Sequence, residues 1–173
     1  MKAVKLRMKS IQSTMQITKA MELVASSKLR KAKERADASR PYFHTLENTL
    51  EQIAAGNTDL SSVYTKKSKN EKWCYVVIAG DRGLAGGYNS NLFKEMESQT
   101  AGKDYCVLPI GKKAVEYYKR RGIELVTEEF AEAGDISVSD CFEIAALLCR
   151  AFKAGEFGHA ALGYTNFVSM LSQ

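Results

Sequence analysis

A heptad repeat of apolar residues runs through the first fifty-three residues of the chain. Steps of four and three residues from Val4 to Ile53 meet an apolar side chain at twelve of fifteen positions. The polar exceptions are Thr18, Glu22 and Ser39. A 3.5-residue period places one narrow apolar seam on a helix that supercoils with a partner helix. The repeat predicts a coiled-coil helix over 1–56, roughly 75–80 Å long at 1.5 Å per residue.

Pro41 is the one residue that interrupts the helical pattern. Proline lacks a backbone donor and disfavours helix at the residue before it, yet the heptad phase continues from Phe43 to Ile53. We therefore expect a kink, or a short break at which Ser39 caps a new helical segment. Gly56 ends the helix, and the polar residues 57–72 predict a linker loop.

Positive charge is concentrated in the helix. Residues 1–40 carry eleven Lys or Arg against three acidic residues, whereas the remainder of the chain is net acidic. The densest cluster is Lys28, Arg30, Lys31, Lys33 and Arg35. This asymmetry indicates an acidic partner surface, nucleic acid or a membrane face, although an ordinary solvated helix face is an equally simple interpretation. We expect the cluster on a face that the seam does not use.

The hydrophobic period changes after residue 72. The continuous apolar run from Trp73 to Ala79 is typical of a buried parallel strand. Further strands are predicted at 105–110, 123–130 and 159–164, with helices between them at 89–99, 112–121 and 140–154. This alternation predicts an α/β fold, a Rossmann-like parallel-type sheet with flanking helices, over 73–173. No helix follows the last strand, so we expect a C-terminally incomplete body.

Local signals refine the predicted helices. Asn89 or Ser90 is expected to cap the first helix of the body and Ser139 the last. In the first helix we expect Leu92, Phe93 and Met96 on one face. In the last helix we expect a core-facing stripe of Phe142, Ala145, Ala146 and Cys149.

The four cysteines indicate a reducing compartment. Cys74, Cys106, Cys141 and Cys149 lack the spacing of a zinc site. Cys141 and Cys149 are eight residues apart on a predicted helix, about 12 Å, which is too far for a disulfide, and we expect four buried reduced thiols. The sequence has no apolar run typical of a signal peptide or a membrane span. We expect a soluble, intracellular protein that reaches a membrane only through a complex.

The turn between the first strand and the first helix of the body is rich in glycine. Its glycines fall at positions 80, 83, 86 and 87, which matches neither the dinucleotide fingerprint nor the phosphate loop. His44 and His159 lie in unrelated elements and form no catalytic set. We therefore expect no cofactor, no metal and no ATPase activity, and a structural turn at Gly83, Gly86 and Gly87. Two alternatives stay open: a nucleotide- or cofactor-binding α/β enzyme, and a basic helical module that binds nucleic acid.

Three motifs carry a family resemblance. The segments Ile17–Ala25 and Ser27–Ala32 resemble the N-terminal helix of the gamma subunit of the F-type rotary ATP synthase. Ser39–Tyr42 and Asp81–Asn89 resemble further motifs of that family at the same spacing. Position 85 is Ala where the family often has Cys, and the long C-terminal helix of the family is absent from the sequence.

The resemblance implies a non-catalytic rotor subunit, the central stalk that transmits torque while the beta subunits perform catalysis. Its implied partners are the alpha and beta subunits of the head, the epsilon subunit, the c-ring and the chain's own C-terminal helix, with no nucleic acid. It implies a location at the cytoplasmic face of the bacterial plasma membrane. The implied contacts with the catalytic subunits are Met21, Lys28, Arg30, Lys31, Lys33 and Arg82.

Overall fold

The computed structural model describes residues 2–56, 63, 64, 66 and 68–166. The chain divides into two units, Met1–Leu60 and Ser61–Gln173. Much of the predicted linker, residues 57–62, 65 and 67, lies outside the described residues. Residues 167–173 do as well, and with them the expectation about the incomplete end of the body.

The first unit is built on one helix, α1, which spans Lys2–Gly56. The predicted break at Pro41 is wrong, because the helix runs through this residue. Proline removes only the hydrogen bond that residue 41 would give to residue 37, and the turns on both sides keep theirs. The Ser39 hydroxyl donates to the carbonyl of Ala36 at 2.9 Å, so it caps no new segment. Every described residue of α1 is exposed.

The second unit is built on a three-stranded parallel sheet with the order β2-β1-β3. The strands are β1 (Trp73–Ile78), β2 (Tyr105–Ile110) and β3 (His159–Gly163). The four inner residues of β1 are buried, as expected for a central strand whose side chains alternate between two covered faces. Trp73 aligns with Tyr105 on one side and with His159 on the other.

Helices cover both faces of the sheet. Tyr75 and Val77 pack in one core cluster with α2 (Tyr88–Thr100) and α3 (Lys112–Arg120). Val76 and Leu108 pack in another with α4 (Val138–Ala154). The predicted apolar face of α2, made of Leu92, Phe93 and Met96, is buried. This confirms the α/β, Rossmann-like prediction.

The strand predicted at 123–130 is reduced to a single parallel bridge between Leu125 and Val107 of β2. The chain bends immediately afterwards, because the Thr127 hydroxyl accepts the backbone N–H of Glu129 at 3.2 Å. Such local side-chain bonds compete with sheet ladders. A short partner at this edge also suits Pro109 of β2, which has no N–H to donate to a longer one.

The predictions for the two helix starts need correction. Helix α2 begins after Gly87 without a side-chain cap, and Asn89 instead accepts the N–H of Gly80 at 2.8 Å. Helix α4 is capped by Ser137 and not by Ser139, in a capping box with Asp140.

The predicted core face of α4 is also wrong. Phe142 is 74% exposed, and the other members of the predicted stripe, Ala145, Ala146 and Cys149, are exposed as well. The helix instead buries Ile144 and Ala151, with Leu147 and Leu148 partly buried beside them. Ile144, Leu147 and Leu148, at i, i+3 and i+4, offer more aliphatic surface for burial than Ala145, Ala146 and Cys149, and Phe142 is left on the exposed side of the helix.

The cysteines separate into two pairs. All four are free. Cys74 and Cys106 are buried at paired positions of β1 and β2, as predicted. Cys141 and Cys149 on α4 are exposed, which corrects the expectation of four buried thiols and follows from the rotation of that helix.

Tyr118 of α3 places an unpaired polar atom in the core. Its side chain is buried, and its hydroxyl has no hydrogen-bond partner among the described residues. Burial of the phenol raises the pKa of Tyr118. We predict that Tyr118→Phe raises the free energy of unfolding by about 1–3 kcal/mol, since it removes an unsatisfied buried group. Urea unfolding followed by the fluorescence of Trp73, the single tryptophan, measures this.

The neighbouring tyrosine supplies the control. The Tyr117 hydroxyl donates to Glu97 at 2.6 Å, so Tyr117→Phe removes a bond that is made and should destabilise the protein. Equal destabilisation by both substitutions would show that the Tyr118 hydroxyl does have a partner.

Candidate functional site

The basic cluster of α1 is displayed in two rows. Lys28, Arg30, Lys31 and Lys33 are all exposed. At about 100° of rotation per residue, Lys28 and Lys31 lie on one side of the seam and Arg30 and Lys33 on the other. The four side chains therefore flank the seam and do not share a single face.

Most of these cations are available for an external partner. Arg30 pairs with Glu34 at 3.0 Å, and both side chains are more than half exposed. Such a pair is worth only about 0–1 kcal/mol. Lys28, Lys31 and Lys33 form no ion pair with any residue that the structure describes. Met21, 61% exposed, lies two helical turns before Lys28 on nearly the same side of the helix.

The glycine-rich turn joins β1 to α2. Of the three glycines predicted to be structural, only Gly86 has a positive φ, +58°. Gly87 is the residue before α2, with φ −79°, and a Cβ there would lie 3.0 Å from Asn91 Nδ2. A Cβ on Gly83 would meet no atom within 4 Å. Gly86 and Gly87 thus have local reasons to be glycine, whereas Gly83 has none in the described contacts.

Leu84 is the most exposed apolar side chain of this turn and was not predicted as a site residue. It has a φ of +61°, unusual for a residue with a Cβ, and its side chain is fully exposed. Residues forced into this conformation concentrate at functional sites. Together with the exposed Arg82, Leu84 forms the tip of the turn. A leucine inside a run of glycines was the sequence signal.

Asp81, at the base of the turn, binds three backbone N–H groups. Its Oδ1 accepts from Lys112 at 3.1 Å and from Ala133 at 2.9 Å, and its Oδ2 accepts from Gly134 at 3.0 Å. Partial burial opposes ionisation, but these hydrogen bonds outweigh it and lower the pKa of Asp81. The ionised group therefore stabilises the fold above the ordinary Asp pKa, and this contribution is lost as the pH falls through the lowered value.

The position of Asp81 bears on the nucleotide-binding alternative. Lys112 is the first residue of α3, and a phosphate bound to an α/β fold of this kind lies at such a helix N-terminus. Here the Asp81 carboxylate occupies that position. The carboxylate therefore disfavours an anion at the N-terminus of α3, whereas a phosphate held by a glycine-rich turn lies at the N-terminus of the helix that follows the turn, here α2.

Neither histidine lies in a catalytic arrangement. His159 stacks on Trp73 with ring centroids 4.7 Å apart, and His44 lies 3.6 Å from Glu47 on α1. Among residues 2–56, 63, 64, 66 and 68–166, no three His, Cys, Asp or Glu side chains are grouped as a metal site would require. Within the same residues, no helix has the length and apolarity needed to span a bilayer.

Comparison with known proteins identifies the family. A sequence model described as ATP synthase matches residues 1–173. The ATP synthase gamma chain of Ruminococcus albus is 44% identical over 178 residues, covering all of this chain and 62% of that protein. The chain belongs to the gamma-chain family of the ATP synthase.

Other relatives match this chain to a similar extent. The sodium ion specific ATP synthase gamma chain of Acetobacterium woodii is 36% identical over 98% of this chain and 57% of its own length. The gamma chain of Heliobacterium modesticaldum is 35% identical over the whole chain and 60% of its own length. The sequence thus spans about three-fifths of the curated relatives, and both motif regions, in α1 and in the turn after β1, fall inside the match.

Proposed function

We propose that this gamma chain is part of the central stalk of an F-type ATP synthase and transmits torque between a membrane ring and the catalytic head. The observation that carries the proposal is α1, an uninterrupted helix of 55 residues, about 80 Å long at 1.5 Å per residue. Its seam is apolar and exposed, with Met8, Ile11 and Met15 each more than half accessible. A shaft needs this length and a second helix on its seam.

The second helix is proposed to correspond to the part of the related gamma chains that lies outside the match with residues 1–173. An antiparallel partner on the seam would bury its apolar side chains and leave the two basic rows outside. A coiled coil resists twisting better than one helix, because knobs-into-holes packing couples the strands. Its polar exterior avoids strong apolar adhesion to a surrounding sleeve.

The proposed contacts with the catalytic subunits are Met21, Lys28, Arg30, Lys31, Lys33 and Arg82, to which we add Leu84 because its side chain is fully exposed at the tip of the turn. Exposed ion pairs with an acidic partner surface are worth about 0–1 kcal/mol each. Contacts of this size break and re-form readily, as rotation requires. The tip of the turn supplies one cation and one apolar side chain at a second location on the chain.

The α/β body is proposed to connect to the epsilon subunit and to the c-ring of the membrane sector. This places the chain at the cytoplasmic face of a bacterial plasma membrane as a peripheral member of the complex. Bacterial gamma chains as relatives and the absence of a spanning helix among the described residues support the proposal. ATP chemistry is assigned to the beta subunits, because the glycines at positions 80, 83, 86 and 87 match neither the dinucleotide fingerprint nor the phosphate loop.

Neutralising one basic row should weaken coupling by a modest factor. We expect two double variants, Lys28→Ala/Lys31→Ala and Arg30→Ala/Lys33→Ala, to lower the rate of proton pumping coupled to ATP hydrolysis. The expected loss is roughly two- to tenfold in each, the effect of one or two exposed ion pairs. The measurement is proton-pumping-coupled ATP hydrolysis at low ionic strength, where screening is weakest. It uses a chimera in which residues 1–173 replace the matched part of a full-length relative, assembled with that relative's other subunits.

A matched change on the body controls for net charge. Lys94→Ala/Arg150→Ala removes two exposed cations from α2 and α4 and should leave the coupled rate unchanged. If the row variants and the body variant behave alike, the rows are only a solvated surface and the contact assignment fails.

A further inference from the structure

The tip of the turn after β1 has almost no support of its own. In the described structure, Arg82, Gly83 and Leu84 take part in no hydrogen bond or ion pair, and residues 82–87 are exposed. The first internal bond of the turn is made by Tyr88, whose N–H donates to the Ala85 carbonyl at 3.3 Å. The direction in which the tip points is therefore fixed from its two ends.

The two ends are held differently. At the far end, the Asn89 side chain accepts the N–H of Gly80 at 2.8 Å, which closes the turn on itself. At the near end, Asp81 bonds to α3 through Lys112 and to the 3-10 turn Ala133–Asp135 through Ala133 and Gly134. The Gly80 carbonyl also accepts the N–H of Lys113 at 3.1 Å. Among the residues that the structure describes, Asp81 is the only one whose side chain hydrogen-bonds the turn to other elements of the body.

We propose that Asp81 is a positioning residue for torque transfer, its carboxylate serving as a built-in anion that anchors the contact tip to the rigid body. The proposal rests on the central-stalk function, since it assigns the tip a load-bearing contact. Arg82 and Leu84 follow Asp81 directly, so any freedom at Asp81 is passed to the two contact side chains. If the tip moved relative to the body under an applied force, part of the torque would be dissipated in that local motion and would not reach the catalytic subunits.

The chemistry of the anchor requires a carboxylate. Its three donors are backbone N–H groups, one of them at the N-terminus of α3, where the helix dipole favours negative charge. Both oxygens are used, so an amide would keep one acceptor and turn an NH₂ group toward a donor. The Lys112 ammonium pairs with Glu132 at 2.6 Å, so the hydrogen-bond donors that the structure gives Asp81 are these backbone N–H groups.

The anchor is tested first by the mobility of the tip. A spin label at Leu84→Cys, in a background with Cys141→Ser and Cys149→Ser, reports tip motion in the chimera by electron paramagnetic resonance. We expect Asp81→Ala and Asp81→Asn to mobilise the label. We also expect formate, a carboxylate small enough for the vacated position, to restore the low mobility of the label in Asp81→Ala. Formate should have no effect on the parent. An unchanged label in Asp81→Ala overturns the anchor.

The role in torque is tested in the assembled complex. Asp81→Ala should lower the coupled rate about tenfold, the loss expected when a set of charge-assisted hydrogen bonds disappears, with partial recovery in formate. Asp140→Ala is the matched control. Asp140 also accepts hydrogen bonds at a helix N-terminus, from the backbone N–H and the hydroxyl of Ser137 at the start of α4. It lies far along the chain from the tip. It should leave coupling unchanged.

The outcomes separate this inference from the stalk proposal. Two results overturn the positioning role while the parent chimera still shows the stalk function. In the first, Asp81→Ala mobilises the label but couples normally. In the second, Asp81→Ala and Asp140→Ala lose coupling to the same extent. A parent chimera that assembles but does not couple contradicts the stalk function and, with it, the positioning role. In that case the mobility of the spin label still shows whether Asp81 anchors the tip.

Discussion

Gly111→Ala is expected to destabilise the α/β body by about 2–5 kcal/mol, the combined cost of a residue with a Cβ at positive φ and of overpacking against backbone. Gly111 joins β2 to α3 with a φ of +96°, and an added Cβ would collide with the carbonyl oxygen of Ala79. Ala79 cannot move away freely, because its own N–H donates to Ile110 at 2.9 Å. Urea unfolding monitored through Trp73 should show the loss.

Gly102 separates the two causes. It also has a positive φ, +71°, but a Cβ there would meet no atom within 4 Å. Gly102→Ala should therefore cost only the conformational part, about 1–2 kcal/mol. If the two variants lose the same stability, the contact with Ala79 relaxes at little cost and the strand-to-helix junction is less rigid than the structure indicates.

The second large effect concerns α1 without its partner helix. The seam exposes Val4, Met8, Ile11, Met15, Leu29, Phe43, Leu46, Leu50 and Ile53. Each leaves roughly 1.5–3 kcal/mol of possible burial unrealised, and a lone helix gains too little from propensity to remain ordered. We expect the 173-residue chain in isolation to exchange its α1 amides rapidly from the N-terminus, or to self-associate through the seam.

Substitutions on opposite faces of α1 identify the associating surface. Ile11→Lys/Met15→Lys places charges on the seam, whereas Leu6→Lys/Ile17→Lys places the same charges on the opposite face, where both side chains are also exposed. Sedimentation should show loss of self-association only for the seam variant. A monomer with slow exchange over 5–35 would show that the seam needs no partner.

The elements with a strong hydrophobic period could be predicted from sequence. The run from Trp73 to Ala79 is typical of a buried strand, and the heptads over α1 favoured one long helix. Where the period was clear, even the buried face followed, as for Leu92, Phe93 and Met96. At Pro41 the alternative of a short break is wrong, because the helix tolerates the loss of one backbone hydrogen bond, and the alternative of a kink stays a prediction.

The remaining errors come from competition that a single sequence leaves undecided. Helix α4 has two apolar stripes, and only packing against the sheet selects Ile144 over Phe142. The sequence of 123–130 predicts a strand, but in the structure the Thr127 hydroxyl accepts the N–H of Glu129 and the chain bends there. Asp81 belonged to a recognised motif, but its three donors lie at 112, 133 and 134, so its role depends on contacts that only the folded chain creates.

The most direct measurement of the central claim is rotation of the chimera inside an immobilised catalytic head. The exposed thiols of Cys141 and Cys149 allow a probe to be attached to the body, while Cys74 and Cys106 are buried. With ATP supplied to the head, we expect unidirectional, stepwise rotation of the probe that requires an intact α1. ATP hydrolysis by an assembled head around a stationary probe would contradict it.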